Sequence, residues 1–532
     1  LAVELTSLGA AVDSITLNDP RYPEIGQRGT PLTLVGHDAG LIKTLATQIP
    51  DIDRQLGDEN LESLHWALTA ASESSATFQF EAPDGGLRVT KTYWLDPQER
   101  PGDVDAISFR DAQSAGYQLH LSVKIENLSR EAKTLEYSLQ GPVGLPLEDP
   151  DNASKYNDIR LGFLRDGGSV DHSTFTAAEA AQEFHAAVKN NDFNLIEVWK
   201  RPIQYIGVDT RYFAALVHPV GDQLTSPTIH SSRAVVAAER KEDRFADVSV
   251  LLTSSDRQLG SVDAADGSSV LEDEFILYAG PKREELLQPL EAASILDYGW
   301  FAPLVRLMLL ILHSLHEMGL SYGLAIIGLT CLVRAGMIPL TRHQAKSMDK
   351  MKELQPKIKV LHEKYKKDPS SLSPEEMRQM QEVNFKMFAG CLPLFLQMPI
   401  FIALYHSLQI SVDLRMAPFH LFGNWIDNLA APAAMFQRGF AIPFVGWTTF
   451  NLLPILSIVL MQANQKLTMP PPADEEQAMQ YRMMNIMMYV MVVFFYRVPV
   501  GLCFYFIVSS VWGTTERSLM KRFASAAPPA GA

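Results

Sequence analysis

Cysteine is scarce in this sequence, and the three that occur lie in its second half. Cys331, Cys391 and Cys503 each fall within an apolar run, so residues 1–300 contain no thiol. Disulfides therefore cannot hold the first half of the chain together, and it must fold around a packed core. About 300 residues are enough to bury a sizeable one.

Motifs of common catalytic sites are also missing. The sequence has no G-x-x-x-x-G-K-[ST] phosphate loop, so we do not expect ATP to drive the protein. The segment "HSLHEMG" at 313–319 has the order H-x-x-H-E, which differs from the H-E-x-x-H of a zinc-binding helix, and no third ligand is apparent. No Ser/His/Asp set stands out among the apolar segments. We predict a protein that is not an enzyme and that binds neither a metal nor a cofactor.

Charge is divided unequally between the two halves of the chain. Residues 1–300 carry 25 Lys+Arg and 47 Asp+Glu, whereas residues 301–532 carry 21 and 14. An acidic half has no evident use for nucleic acid, and a basic half that is apolar between its charges is typical of a membrane protein. No basic region followed by an apolar one opens the chain at Leu1, so neither a signal peptide nor a first anchor is visible, and we expect that a segment upstream of Leu1 is missing.

The acidic half has the pattern of β-strands. Residues 87–95, 117–127 and 247–254 alternate with period two and are rich in β-branched and aromatic residues. Turn signals such as "APDGG" and "RDGGS" separate strands at intervals suited to antiparallel meanders. These features predict a β-sandwich with a helical insert at 177–190, and a further helix at 280–300 that leads into the second half.

Long apolar segments dominate the second half. The segment 298–318 carries Arg306, His313, His316 and Glu317 among apolar residues, which favours an amphipathic helix lying in the membrane interface. Five later segments have about the length that a bilayer core requires. The predicted spans are 319–341, 389–409 and three within 446–522, at about 446–465, 483–498 and 500–520.

The loops between these segments predict the orientation. Residues 342–387 contain eleven basic and seven acidic residues, and the C-terminal end is basic as well, so both should be cytoplasmic. Five spans then place residues 1–297 outside, a periplasmic loop at 410–445 and a cytoplasmic tail at 523–532. Helical spacing predicts that 342–388 forms a charged hairpin, although a solvated loop that only fixes the topology is an open alternative.

Arg334 is the most unusual residue of the apolar segments. A cation near the bilayer centre costs about 2.5–3.5 kcal/mol on insertion scales, so it should face a partner or water. Its long stem could instead reach the cytoplasmic headgroups, or it could pair with an acid in another span. Since the spans contain almost no acids apart from Glu317 and Glu516 near their ends, a water-filled cavity is the better explanation.

Other polar and sulfur-containing residues fit such a cavity. Individually each polar side chain is more often a contact between helices than a binding site. Together they predict a polar interior that opens to the cytoplasm, formed by Thr330, Gln397, Gln462, Asn464, Gln465, Ser509, Ser510 and Thr514. The Met-rich stretch 479–495 is either ordinary packing or an adaptable surface for varied apolar segments.

Four stretches of this half resemble a known family in order and separation. They are "TCLVRAGMIPLT", "LQPKIK", "CLPLFLQMPIFIALYHSL" and "GLCFYFIVSS", and they are similar to the YidC family of bacterial membrane protein insertases. "LYAGPKREE" and "LDYGWF", at the junction of the two halves, resemble the Gram-negative type with a large periplasmic domain. The likeness covers essentially the whole chain, with mainly pattern supporting it in the β half.

The resemblance implies a multi-domain inner-membrane protein. Its α-helical polytopic core would have five spans and a cytoplasmic helical hairpin, and its periplasmic domain would be an all-β supersandwich. The core would enclose a hydrophilic groove, open to the cytoplasm and laterally to lipid. The implied partners are nascent membrane proteins, the Sec translocon with its accessory subunits, the phospholipid bilayer and, weakly or transiently, the ribosome.

Three sets of residues are predicted to act on client proteins. The client-binding groove comprises Arg334, Thr330, Gln397, Tyr505, Phe506 and Ser509. The apolar slide comprises Phe395, Met398, Met484, Met487, Met488 and Met491. The hairpin contributes Lys346, Lys350, Lys352, Lys357 and Lys359. Because some relatives have two tyrosines where this chain has Tyr505 and Phe506, a phenolic role at the second position is not expected.

Two other classes of function stay open at this point. A small-anion transporter or channel would use Arg334 to bind its substrate, and inverted repeats or discontinuous helices would favour it. A docking scaffold would instead act through the periplasmic domain. Deletion of most of residues 1–290 separates the classes, because an insertase core should survive that loss.

Overall fold

A computed structural model describes most of the chain. The described residues are 1–25, 27–37, 40, 42–96, 114–148, 157–264, 266–343, 392–421, 425–432, 436–437, 449–468 and 475–526. The predicted hairpin at 342–388, with its five lysines, lies almost wholly outside these residues. Two compact units make up the chain, Leu1–Asp297 and Tyr298–Ala532. The first is rich in β-strands and the second is helical, which confirms the predicted fold class at that level.

Twenty strands form the described part of the first unit. They are β1 (Ala2–Thr6), β2 (Ala11–Leu17), β3 (Pro23–Glu24), β4 (Gln27–Val35), β5 (Thr47–Gln48), β6 (Ala67–Ala71), β7 (Ser75–Glu81), β8 (Leu87–Trp94), β9 (Gln118–Asn127), β10 (Lys133–Leu135), β11 (Ser138–Gln140), β12 (Asp158–Leu164), β13 (Val170–Phe175), β14 (Val198–Trp199), β15 (Ile203–Asp209), β16 (Phe213–Pro219), β17 (Ile229–Ala238), β18 (Asp247–Ser254), β19 (Arg257–Leu259) and β20 (Val270–Pro281). The three strands predicted at 87–95, 117–127 and 247–254 are confirmed as β8, β9 and β18.

Two large antiparallel sheets pack against each other. One has nine strands in the order β13-β12-β15-β16-β20-β9-β8-β7-β6, and the other has five in the order β14-β17-β18-β11-β5. Strands β12 and β15 of the first sheet contact β18 of the second. A four-stranded sheet, β1-β2-β4-β3, and the short pair β10-β19 complete the described strands of this unit. All described strand pairs are antiparallel. Strands β6 to β9 pair consecutively, as the meander pattern predicts, whereas β20 pairs with β9 and β18 with β11 across long separations in sequence.

The alternation of β8 shows how the core is filled. Its odd-numbered residues, from Leu87 to Tyr93, are buried, and its even-numbered residues are half-buried. This register places Lys91 inside the core, where its Nζ donates to Leu45 O at 2.5 Å and lies 5.5 Å from the ring centre of Tyr93. Burial holds the pKa of Lys91 well below its usual value. The alternation of the strand therefore places Lys91 in the core although its side chain is polar.

Buried charges join three strands at one end of the nine-stranded sheet. Asp209 is fully buried and accepts hydrogen bonds from Arg160 Nε at 3.0 Å and Lys282 Nζ at 2.9 Å. Burial lowers the pKa of Arg160, but the Asp209 carboxylate outweighs it, so that the pKa lies above its usual value. Because a buried charge is tolerated only with partners, this cluster fixes how the ends of β12, β15 and β20 meet.

His218 lies on β16 and is buried with no partner for its Nε2 among the described residues. Burial disfavours the imidazolium form, and this lowers the pKa of His218 to about 4 in spite of a backbone hydrogen bond with Gln204. The ring of His218 is 5.8 Å from that of Tyr205 on the neighbouring strand. His218 is therefore neutral in the folded first unit near pH 7.

Helices are short in this unit. They are α1 (Pro50–Leu56), α2 (Ala177–Asn190) and α3 (Glu284–Leu287). The predicted insert at 177–190 is confirmed as α2, which begins with a capping box between Thr176 and Glu179 and ends at the left-handed Asn191. The single helix predicted at 280–300 is wrong. It is divided into α3 and two 3₁₀ turns, because Pro289 donates no backbone hydrogen bond and Glu291 has a φ of 53°.

Six helices form the described part of the second unit. They are α4 (Ala302–Glu317), α5 (Tyr322–His343), α6 (Leu392–Ile410), α7 (Leu452–Thr468), α8 (Glu475–Phe495) and α9 (Val500–Ala526). A short strand pair, β21 (Phe436–Gln437) and β22 (Thr449–Phe450), lies between α6 and α7. Among the described residues, α5 is the one helix that is long and apolar enough to cross a membrane by length and composition. The five-span count stays a prediction.

Helix α4 packs along α6 through one apolar face. Val305, Met308 and Leu312 are buried on that face, while Leu307 and Leu310 on the other side are at least half exposed. His313 of α4 lies 3.3 Å from the Asp413 carboxylate in the turn that follows α6. The helix therefore has apolar residues on two sides, which is the pattern expected at a membrane interface.

Candidate functional site

The polar cluster of the second unit is centred on Arg334 of α5. This side chain is half-buried, and its Nε is shielded from solvent without a hydrogen-bond partner. Within the described residues no carboxylate forms an ion pair with it. Its charge acts on Tyr505 and on Arg517, which both belong to α9. Arg334 is therefore neither locked onto an acid of the described chain nor sealed by apolar neighbours.

Helix α9 presents a polar stripe to this cation. Tyr505, Ser509 and Trp512 follow one another at intervals of four and three residues, which places them on one face of a helix. Tyr505 and Ser509 are 2% and 4% exposed. Among the described residues no clear hydrogen bond reaches the Tyr505 hydroxyl, the Ser509 hydroxyl or the Trp512 indole Nε1, and the two hydroxyls are close enough to interact weakly with each other. The stripe adds three unsatisfied polar atoms to the one on Arg334.

Four such atoms on neighbouring helices are costly in a dry interior. A buried polar group without a partner costs about 1–3 kcal/mol. Buried polar groups in folded proteins almost always have a partner, whether protein or ordered water. The cluster of Arg334, Tyr505, Ser509 and Trp512, which we call the polar cleft, is therefore suited to hold water or the polar atoms of a ligand.

Two predicted groove residues have other environments. Thr330 lies one turn before Arg334 and is 1% exposed, and its hydroxyl donates to Ile326 O of the same helix at 2.7 Å. Gln397 is half-buried on α6. Thr330 thus has its hydrogen bond satisfied within α5, in contrast to the stripe on α9.

Phe506 lies in an aromatic cluster beside the polar cleft. Its ring centre is 5.6 Å from that of Phe401 on α6, 5.1 Å from that of Phe495 on α8 and 5.5 Å from that of Tyr505. Such distances are typical of packed aromatic pairs. The cluster forms an apolar wall in which α6, α8 and α9 meet, and Tyr505 joins it to the polar cleft.

A second polar group lies at the other end of α5 and α9. Thr341 Oγ1 donates to the Glu516 carboxylate, and Arg517 Nη1 lies 3.3 Å from Asn464 Oδ1 and 3.4 Å from Asn464 O. Gly513, one turn before Arg517, allows α9 to approach α7, because a Cβ there would lie 3.3 Å from the Asn464 amide. Consecutive residues of α9 therefore contact α5 on one side and α7 on the other.

Methionines of the predicted slide are exposed where the structure describes them. Met398 of α6 is 44% exposed and Met487 of α8 is 61% exposed. Met479 and Met483 precede Met487 at intervals of four residues and are 60% and 66% exposed, so one face of α8 is a methionine stripe. The side chains of Phe395, Met484, Met488 and Met491 lie outside the described residues, as do the hairpin lysines Lys346, Lys350, Lys352, Lys357 and Lys359.

Sequence reasoning missed two parts of this site. Trp512 was not among the predicted groove residues, although its spacing from Ser509 and Tyr505 was sufficient to include it. Phe401 and Phe495 carried no signal, because an aromatic residue in an apolar run is ordinary. Among the described residues, no group of three or more His, Cys, Asp or Glu side chains is placed to hold a metal ion.

Comparison with known proteins shows which proteins the chain is similar to. Residues 313–527, which include the polar cleft, match the model of the family described as 60Kd inner membrane protein. The chain is 29% identical over 456 residues to the membrane protein insertase YidC of Syntrophobacter fumaroxidans, a match that covers 84% of this chain and 71% of the relative. It is 35% identical over 281 residues to the YidC of Histophilus somni, covering 51% of this chain and 48% of the relative.

Residues 313–527 therefore match the model of the 60Kd inner membrane protein family, and much of the chain is similar to YidC membrane protein insertases, as the four sequence stretches predict. The names of these relatives agree with the prediction that the chain is not an enzyme. The chain spans about half the length of several of these relatives.

Solved structures resemble the chain only distantly. The Slr1438 protein of Synechocystis is 9% identical with a TM-score of 0.30, covering 52% of this chain and 91% of that chain. A galactose mutarotase-like protein of Lactobacillus casei is 10% identical with a TM-score of 0.30, covering 52% of this chain and 96% of that chain. Likeness at this level supports no conclusion about the chain.

Proposed function

We propose that this protein is an insertase and foldase of the bacterial inner membrane, which passes client transmembrane segments from the cytoplasm into the bilayer. It acts alone or with the Sec translocon. The observation that supports this role best is the polar cleft, a cation with three unsatisfied polar neighbours on an otherwise apolar pair of helices. The family relationship supports the same role.

In this proposal α5 to α9 are the five spans and α4 lies in the outer interface. Residues 1–297 are periplasmic and the C-terminus is cytoplasmic, in accordance with the positively charged loop at 342–387. The hairpin at 342–388 covers the cytoplasmic entrance of the groove. The ribosome contacts the cytoplasmic side weakly or transiently.

Arg334 holds the polar outer segment of a client while the apolar segment moves into lipid. The groove residues Thr330, Gln397, Tyr505, Phe506 and Ser509 line this path. The apolar slide runs along α6 and α8, where Met398 and Met487 are exposed. Methionine suits this task because its unbranched side chain adapts to apolar partners of different shape.

The energy for insertion comes from the client and the membrane. Burial of an apolar CH₂ group contributes about 0.8 kcal/mol, so a whole span outweighs the transfer of a short polar segment across a locally thinned barrier. An inside-negative potential contributes about 2.3 kcal/mol per 100 mV for each negative charge that moves outward. A hydrated Arg334 lowers the barrier for such acidic segments, and no nucleotide is required.

The test replaces Arg334 and measures insertion into proteoliposomes. Two single-span clients are compared, one with an acidic outer segment and one in which the acids are replaced by amides. We expect Arg334→Ala to reduce insertion of the acidic client and Arg334→Lys to restore much of it. Arg342→Ala is the matched control, because Arg342 is an exposed cation near the end of the same helix.

Unchanged insertion of the acidic client by Arg334→Ala would exclude the role of the cation. A small-anion transporter predicts instead that anion flux into empty liposomes depends on Arg334. A periplasmic docking scaffold predicts that deletion of residues 1–290 abolishes growth, whereas the insertase core should retain its activity.

A further inference from the structure

Glu516 and Arg517 occupy the cytoplasmic end of the proposed groove. They are adjacent on α9, and they contact opposite neighbours, Thr341 of α5 and Asn464 of α7. The Glu516 carboxylate is already engaged by the Thr341 hydroxyl. The Arg517 guanidinium is half-buried. The functional role proposed above does not use this cation.

The hydrogen bonds of Arg517 leave most of its donor capacity free for a further partner. A guanidinium carries five N–H donors. Within the described residues the hydrogen bonds of Arg517 use Nη1 alone, at 3.3 and 3.4 Å, which is long for N–H···O bonds. Asn464 therefore orients Arg517 without saturating it.

Arg517 is electrostatically coupled to Arg334. The positive charge of Arg334 repels that of Arg517, whereas the Glu516 carboxylate attracts it. Thr341, which bonds to Glu516, follows Arg334 by seven residues, a rise of about 10 Å along a helix. Glu516, the neighbour of Arg517, thus lies about two turns along α5 from Arg334, and two cations that act on each other attract anions to the region between α5, α7 and α9.

A purely structural role for Arg517 is the main alternative. Asn464 belongs to the last turn of α7, and a cation there interacts favourably with the final carbonyl groups of the helix. A role as a helix cap, however, does not involve the neighbouring cation Arg334. It also does not depend on which client segment enters the cleft. The phosphate of a lipid headgroup is another anion that Arg517 could meet.

We infer that Arg517 is a second anion-binding residue of the cleft, which takes a carboxylate of the client before Arg334 does. The inference rests on the proposed insertase function and specifies its clients. An extended chain rises about 3.3 Å per residue, so two carboxylates three residues apart span about 10 Å, which equals the rise of α5 from Arg334 to Thr341 beside Glu516. Clients whose outer segments carry such a pair of acids are the class that Arg517 recognises.

The experiment uses the full chain in proteoliposomes and three variants. The clients are single-span proteins of equal length whose outer segments contain either two Asp three residues apart or two Asn at the same positions. We expect Arg517→Gln to reduce insertion of the Asp client about tenfold, the effect of losing one hydrogen bond to a charged group, and to leave the Asn client unchanged. Arg517→Lys should restore most of the activity.

Asn464→Ala is the control for the structural contact. It removes the side-chain acceptor of Arg517 and keeps its charge, so we expect any change of insertion to be equal for the two clients. Equal loss of both clients with Arg517→Gln would overturn the inference, since a helix cap or a lipid phosphate is present with either client. Unchanged insertion of both clients would overturn it as well.

Failure of the proposed function gives a different result. If the parent chain inserts neither client above the level of liposomes without protein, the insertase function is wrong. If the parent inserts both clients and Arg517→Gln has no effect that depends on client charge, only the role of Arg517 is wrong.

Discussion

Ser509 and Ser457 provide a direct test of whether the polar cleft contains water. Both serines are almost fully buried in the second unit, at 4% and 2% exposure. Ser457 donates to Leu453 O at 2.8 Å and lies 3.3 Å from Cys503 O, whereas among the described residues the Ser509 hydroxyl meets the Tyr505 hydroxyl without a clear hydrogen bond. They are a matched pair that differs mainly in hydrogen bonding.

Replacement of each serine by alanine has a different expected magnitude. Ser457→Ala removes a satisfied hydroxyl and should lower the free energy of unfolding by about 1 kcal/mol. Ser509→Ala should change it by roughly zero, because water that hydrates the hydroxyl is present in the folded and unfolded states. In a dry cleft the same change would raise the free energy of unfolding by about 1–3 kcal/mol, since it removes an unsatisfied polar group.

Unfolding of the full chain by SDS in mixed micelles measures these differences. A second assay places cysteine at 509 or at 457 in a chain whose native cysteines are replaced by alanine. A water-soluble maleimide should label Cys at 509, because thiolates form only where water reaches them, and should spare Cys at 457. A stabilising Ser509→Ala together with an unlabelled thiol at 509 would refute the hydrated cleft.

Two further predictions concern packing and pH. A Cβ at Gly323 would lie 2.2 Å from the ring of Phe419, so Gly323→Ala should lower the free energy of unfolding by about 1–3 kcal/mol. Gly336→Ala on the same helix is the control, because a Cβ there meets no atom within 4 Å, and it should be neutral or slightly stabilising. Equal effects of the two substitutions in SDS unfolding would contradict this prediction. The pKa of His218 is about 4 in the folded chain and near 6.5 in the unfolded chain, so the unfolded chain binds the proton first as the pH falls. The free energy of unfolding of the first unit should therefore fall by about 3 kcal/mol between pH 6.5 and pH 4. Hydrogen exchange of β16 amides in the full chain should show this loss, and His218→Leu should abolish that part of it; an unchanged pH dependence in the variant would count against the buried neutral imidazole.

Periodicity predicted three of the twenty described strands of the first unit. Alternation with period two located β8, β9 and β18, because at least one face of each strand packs on the core. The same reasoning could not foresee that Lys91 takes an inward position in β8, since its neighbours decide the register. The interrupted segment at 280–300 was also missed, although Pro289 was a visible signal against a continuous helix.

The site was predictable where a residue conflicted with its surroundings. Arg334 was detected because a permanent charge is costly in an apolar segment. Trp512 and Phe401 were not, because an indole or phenyl ring fits the same segment without conflict. Arg517 was used only to orient the chain. Its position beside Asn464 and its coupling to Arg334 depend on how α5, α7 and α9 pack, which local sequence does not specify.

Hydration of the polar cleft also determines how strongly it can hold a client. Two unit charges 4 Å apart attract by about 4 kcal/mol at an effective dielectric constant of 20, and by about 1 kcal/mol in bulk water. An insertase has to release each client, so a contact in the lower part of this range is more suitable than a dry ion pair. In the proposed function, Arg334, which lacks a carboxylate partner among the described residues, stays available to each client in turn. The unsatisfied atoms on α9 would hold water beside Arg334, and this water would keep the attraction weak enough to be reversible.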